Sequence, residues 1–292
     1  MICTMCPRKC GVDRQEALGF CKCNDSIKIS RAMRHFWEEP CISGDNGSGT
    51  IFFSGCNLKC IYCQNHAISH GLSGKEFTEE EFKALVLKVA NSGVNNVNLV
   101  TPTHFSLQIA KALCEIKSDI KVPIVWNGSG YENSEIIKKL SDVVDIFLCD
   151  VKYKSESLAL EYSNAPNYFE YALKALGQMI ELHPSPVFDD NGILQKGVIV
   201  RHLTLPSHRY DSIEILDSLA PFKSNIILSL MSQYTPTPNT ECHKALSRRV
   251  TSLEYNAVVK RANEIGFTGY IQEKSSAKES YTPDFSKSAE FF

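Results

Sequence analysis

From Thr50 onward, short runs of β-branched and aromatic residues alternate with stretches whose apolar residues recur every three or four positions. The first pattern suits a buried strand and the second an amphipathic helix, so their alternation predicts repeated βα units around a parallel sheet. Strands are expected at Thr50–Ser54, Val97–Thr101, Pro123–Asn127, Val144–Asp150, Val198–Leu203 and Ile226–Met231, with a seventh, less regular, at Thr268–Ile271. Thr78 and Glu81 have the spacing of a capping box ahead of the one-face series Phe82, Leu85, Val86 and Val89. Thr251 and Glu254 repeat it ahead of Tyr255, Val258, Val259 and Ala262. The expected fold is α/β, a partial (β/α)6 TIM-type barrel over residues 50–274. Residues 1–49 show neither period clearly and are expected to form a small Cys-rich metal-binding N-terminal segment, held by metal more than by a core of its own. Residues 275–292 are Ser-rich and read as a flexible tail or lid.

A chain of 292 residues with 43% hydrophobic composition buries enough surface for one large domain and a small appendage. Net charge is -2 and no long run of one sign occurs, which argues against nucleic acid and anionic lipid as partners and leaves a small molecule or a protein. No apolar run reaches membrane-spanning length, and the first residues lack the apolar centre of a secretion signal, so a cytoplasmic location is expected. Twelve cysteines in such a chain point to thiolate-bound metal before disulfides. Nine of them precede residue 64; Cys114, Cys149 and Cys242 read as small apolar residues.

Cys56, Cys60 and Cys63 form a Cys-x3-Cys-x2-Cys triplet directly after the first expected strand. Three thiolates around an iron-sulfur cubane leave one iron open to a ligand, and the loop lies where barrel enzymes keep their active sites. A structural zinc site remains the alternative, with His66 or His70 as the fourth ligand. Cys3, Cys6, Cys10 and Cys21, with Cys23 close behind, supply a second set of thiolates for zinc or an auxiliary iron-sulfur cluster. Cys41 is a substitute ligand or a buried thiol.

The Cys56–Asn65 segment resembles the radical S-adenosylmethionine (SAM) proteins, and among them the iron-sulfur proteins homologous to pyruvate formate-lyase activating enzyme. So do residues 6–14, 38–44, 98–104, 129–132 and 201–203. The resemblance implies a 4Fe-4S cluster on Cys56, Cys60 and Cys63, with SAM bound to the open iron. It implies an oxidoreductase that works anaerobically, cleaving SAM to a 5'-deoxyadenosyl radical that abstracts hydrogen from a substrate. The substrate could be a protein, as for a glycyl-radical-enzyme activase, or a metabolite, and a flavodoxin- or ferredoxin-type electron donor is expected. A non-catalytic zinc module that binds nucleic acid or protein is the competing reading.

Asp150 and Lys152 share one strand face, which suits a zwitterion, and the resemblance gives such an Asp-x-Lys pair to SAM; a ligand-free ion pair is the alternative. Thr101-Pro102-Thr103-His104 stands where many radical SAM proteins carry Gly-Gly-Glu, and the chain has no Gly-Gly dipeptide. The SAM amino group would then meet Thr101 or Thr103, unless Thr103 simply caps a helix. Arg201 and His202 are neighbours on one strand, so one alone can face the barrel interior, and His202 is expected to do so. Tyr62 and Asn127 complete the expected cofactor contacts, Met231 and Gln233 stand at strand ends, and Glu132 is a helix first-turn acid or a ligand.

Overall fold

The computed structural model describes residues 2–70, 73–272 and 292. After an irregular start come β1 (Ile27–His35), α1 (Pro40–Ser43), β2 (Ser48–Phe53), α2 (His66–Ser69), β3 (Lys75–Phe77), α3 (Glu79–Ala90), β4 (Val97–Val100) and α4 (Ser106–Ile116). There follow β5 (Ile124–Gly128), α5 (Ser134–Lys138), β6 (Ile146–Asp150), α6 (Glu156–Ser163), α7 (Tyr168–Leu182) and β7 (Val187–Phe188). The chain then forms β8 (Leu194–Leu203), α8 (Arg209–Leu219), β9 (Ile226–Met231), α9 (Ser252–Ile265) and β10 (Gly269–Ile271).

The sheet order is β10-β9-β8-β6-β5-β4-β2-β1-β3, and all neighbours from β2 to β10 are parallel. Each of these strands corresponds to one expected from the hydrophobic pattern, and helices join them, giving the partial barrel. Both capping boxes form: Thr78 and Glu81 close the start of α3, Thr251 and Glu254 that of α9. Because side chains alternate along a strand, each parallel strand serves two cores. Phe53, Leu99, Trp126, Phe147, Val200 and Leu228 pack outward beneath the helices. Val125, Ile146, Leu148, Ile199 and Ile227 point inward around Ile42 and Cys41.

Residues 1–49, in which the sequence shows neither period clearly, hold regular structure in their second half. Ile27–His35 is a nine-residue strand paired antiparallel to β2. Its register shifts between Ile29 and Arg31, and this bulge breaks the alternation by which the strand would be recognised. Beyond it, Phe36–Ser43 turns under the barrel, where Asn96 Nδ2 donates to the Ile42 carbonyl at 2.7 Å. The expected tail or lid at 275–291 lies outside the described residues. Among the described residues no helix is long and apolar enough to cross a membrane.

Candidate functional site

One cavity of about 200 Å³ opens at the carboxyl ends of the parallel strands and collects most of the expected site residues. Cys56, Cys60 and Cys63 line it, together with Thr101, Asn127, Asp150, Lys152, Arg201, Met231 and Gln233. Tyr62 borders an adjoining recess that shares Cys60, Cys63, Asp150 and Lys152. The thiols sit in the loop after β2, whose turn at Lys59 takes φ +57°. The Leu58 amide donates to Cys56 Sγ at 3.3 Å and the Ser163 hydroxyl to Cys60 Sγ at 3.0 Å. Burial, and then the neighbouring Cys60, push the Cys56 thiol up and the Cys63 thiol to about 12. Metal binding displaces such protons.

Asp150 and Lys152 pair at 2.5 Å, Oδ2 to Nζ, each partly buried. Burial lowers the Lys152 ammonium, but Asp150, first among its charged neighbours, holds it well above its ordinary value. Tyr168 fixes the turn that carries this pair: its hydroxyl accepts from the Lys152 amide at 3.0 Å and lies 2.9 Å from the Asp150 and Ser129 carbonyls. Thr101 has φ +59°, a costly conformation for a β-branched residue and one concentrated at functional sites. Its amide donates to the Asn127 carbonyl at 2.9 Å.

Three expectations are corrected. His202 faces outward: its ring nitrogens contact the Val151 carbonyl at 2.7 Å and the Ser212 hydroxyl at 2.9 Å, so it is part of the sheet-to-helix packing. Arg201 takes the inward place. Its guanidinium meets Glu39 at 2.9 and 2.7 Å and Glu38 at 2.6 Å, and Asn98 donates to Glu38 Oε1 at 3.0 Å. Glu38 and Arg201 line the cavity, and Glu39 and Asn98 hold them from behind. Thr103 does not line the cavity; its hydroxyl donates to Glu132 Oε1 at 2.7 Å, and Trp126 Nε1 donates to the same oxygen at 2.9 Å. Glu132 is thus neither a first-turn acid nor a cavity ligand but a buried lock behind Gly128, where an added Cβ would come 2.6 Å from its Oε2. His66 and His70 stack on each other at 4.1 Å, away from the cavity lining.

The sequence pattern of the radical SAM superfamily matches residues 50–190. An uncharacterised protein of Methanocaldococcus jannaschii is 30% identical over 273 residues, which span 90% of this chain and 74% of that one. The chain belongs to the radical SAM superfamily. A pyruvate formate-lyase activating enzyme of Clostridium pasteurianum is 32% identical over 120 residues, 38% of this radical SAM chain and 48% of the enzyme. Among solved structures, methylornithine synthase superposes with a TM-score of 0.52 at 12% identity, covering 74% of this chain and 62% of that one; the likeness is one of fold.

Membership of the radical SAM superfamily implies an enzyme with a 4Fe-4S cluster and SAM. The donor set fits: three soft thiols border one cavity, two of them receiving hydrogen bonds at sulfur, with a zwitterion-matched ion pair on the same wall. The N-terminal thiols are also gathered. A Cβ at Gly19 would lie 3.6 Å from both Cys10 Sγ and Cys21 Sγ, and the Cys6 thiol, pushed up to about 12 by burial, feels Cys10, Cys21 and Cys3. Among the described residues no three His, Cys, Asp or Glu side chains close tightly enough to hold a single metal ion.

Proposed function

We propose that Cys56, Cys60 and Cys63 hold the 4Fe-4S cluster and that Asp150 and Lys152 bind SAM beside it. The observation that carries this reading is the meeting of all five side chains in one cavity at the carboxyl ends of the barrel strands. The cluster and SAM supply the hard chemistry, reductive cleavage to methionine and a 5'-deoxyadenosyl radical. The chain's own task is to orient and to exclude water. Asp150 offers its carboxylate to donors and Lys152 its ammonium to acceptors, while Thr101, held at positive φ, turns toward the cavity in place of a Gly-Gly-Glu motif. The Glu38–Arg201–Glu39 floor closes the barrel beneath the reacting space, where a substrate would rest.

The substrate reading is a glycyl-radical-enzyme activase, in which hydrogen is taken from a backbone glycine of a partner protein. The identity shared with the Clostridium pasteurianum activating enzyme supports it. A flavodoxin- or ferredoxin-type donor in the cytoplasm would supply the electron. The test is 5'-deoxyadenosine release after anaerobic reconstitution and reduction: the wild type should release it, and Cys56→Ala, Cys60→Ala and Cys63→Ala should not. Undiminished release from a variant without a cluster would refute the ligand assignment.

A further inference from the structure

Ser163 ends α6 and is 3% exposed, and its single hydroxyl hydrogen is directed at Cys60 Sγ, 3.0 Å away. The Tyr153 hydroxyl lies 2.7 Å from the same Ser163 oxygen. A serine has one hydrogen to give, so with that hydrogen on sulfur, Tyr153 is the donor of the second bond. The two bonds form a chain, Tyr153 to Ser163 to Cys60, in which each donor polarises the next.

The chain is held in place from several sides. The Ile61 amide, next to Cys60, donates to the Tyr162 carbonyl at 2.9 Å, fastening the cysteine loop to the last turn of α6. Arg8 fastens both again. Its guanidinium donates to the Asn57 carbonyl at 2.7 Å, the Ser163 carbonyl at 2.8 Å and the Asn164 carbonyl, and rests over the Phe20 ring at 3.8 Å. Tyr153 is fully buried against Tyr62, Tyr162 and Tyr168, so its ring is fixed. A hydroxyl held this firmly within reach of sulfur, in a buried site, bears on the charge that the sulfur can carry.

We propose that Ser163, backed by Tyr153, is a positioning residue that raises the reduction potential of the cluster through its hydrogen bond to Cys60. The proposal rests on the reading of Cys60 as a cluster ligand. An added electron increases negative charge on the ligand sulfurs, and a donor there stabilises the reduced form more than the oxidised form. The chain thereby eases the one-electron reduction that SAM cleavage requires, without touching SAM or substrate.

The test is redox potentiometry of the anaerobically reconstituted full-length protein, read by electron paramagnetic resonance of the reduced cluster, with iron content measured alongside. In Ser163→Ala the ratio of reduced to oxidised cluster, at the potential that half-reduces the wild type, should fall about threefold, about 28 mV on a one-electron scale. Tyr153→Phe should shift the same way by less, and Ser163→Thr, which keeps the hydroxyl, should return to the wild-type potential. A wild-type potential in Ser163→Ala at full iron content overturns the proposal, as does a Ser163→Thr potential as low as that of Ser163→Ala. If Ser163→Ala retains no iron, Tyr153→Phe decides: a lowered potential supports the chain and an unchanged one overturns it. Cys60→Ala separates this from failure of the underlying reading. Loss of the reduced-cluster signal upholds Cys60 as ligand, whereas an intact four-iron cluster there refutes the ligand reading, whatever Ser163 does.

Discussion

Asp150 and Lys152 neutralise each other at the cavity wall, so removing either leaves a partly buried charge without its partner. Asp150→Asn and Lys152→Ala should each weaken SAM binding about tenfold, about 1.4 kcal/mol, while iron content stays at the wild-type level. Titrating SAM against the reduced cluster by electron paramagnetic resonance checks this, and wild-type affinity in both variants would make the pair a purely structural one. His104 gives a pH dependence. Burial, outweighing the Ser54 carbonyl 2.7 Å from its Nε2, lowers its pKa to about 3, and its Nδ1 has no hydrogen-bond partner among the described residues. The folded state therefore takes up this proton less readily than the unfolded chain, whose His titrates near 6.5. The His104 contribution is full above about pH 6.5 and lost as pH falls toward 3. Denaturant titrations at pH 7.5, 6 and 5 should show falling stability, with a shallower fall in His104→Gln. At this scale the cysteine triplet and the Asp-x-Lys pair were legible because spacing and alternation fix them. Alternation states that Arg201 and His202 part company but not which goes inward; the carboxylates of Glu38 and Glu39, 163 and 162 residues away, decide that.

Among the elements, α9 depends on one side chain. Glu254 accepts from the Thr251 amide at 2.8 Å, the Ser207 amide at 2.7 Å and Arg248 at 2.6 and 2.8 Å. Arg248, ahead of the two amides, keeps its carboxyl below the usual carboxylate range, so this stabilisation persists at neutral pH and fades in acid as the group is protonated. Glu254→Gln should cost about 1–2 kcal/mol, a Tm fall of about 2–8 °C by calorimetry. The box was legible from Thr251 and Glu254 alone, because capping is local. The same locality explains why the seven parallel strands could be read and β1 could not. A strand is visible when its side chains alternate without interruption, whereas β1 carries a bulge at Ile29–Arg31 and the charged residues Lys28, Arg31 and Arg34. Its place is set by pairing with β2 and β3.

For the molecule as a whole, the N-terminal thiols carry an expectation of a second metal that holds residues 1 to about 49 onto the barrel. Elemental analysis of the reconstituted protein should find metal beyond four irons per chain, and Cys6→Ser with Cys10→Ser should remove the excess and expose the segment to protease. About one zinc per chain would mean a structural clamp and extra iron a second cluster; four irons with a protected segment would end the idea. The barrel floor has a consequence for how this enzyme comes into being. The segment that stoppers the barrel, Glu38 to Ser43, leaves the ribosome before any parallel strand, but Arg201, which locks it, follows 162 residues after Glu39. Until Arg201 has been synthesised, the Glu38 and Glu39 carboxylates lack the guanidinium that pairs them in the folded chain. The chamber's bottom is therefore a long-range contact that exists only once β8 has been made, and because loop-closure cost rises slowly with length, so wide a separation is tolerated.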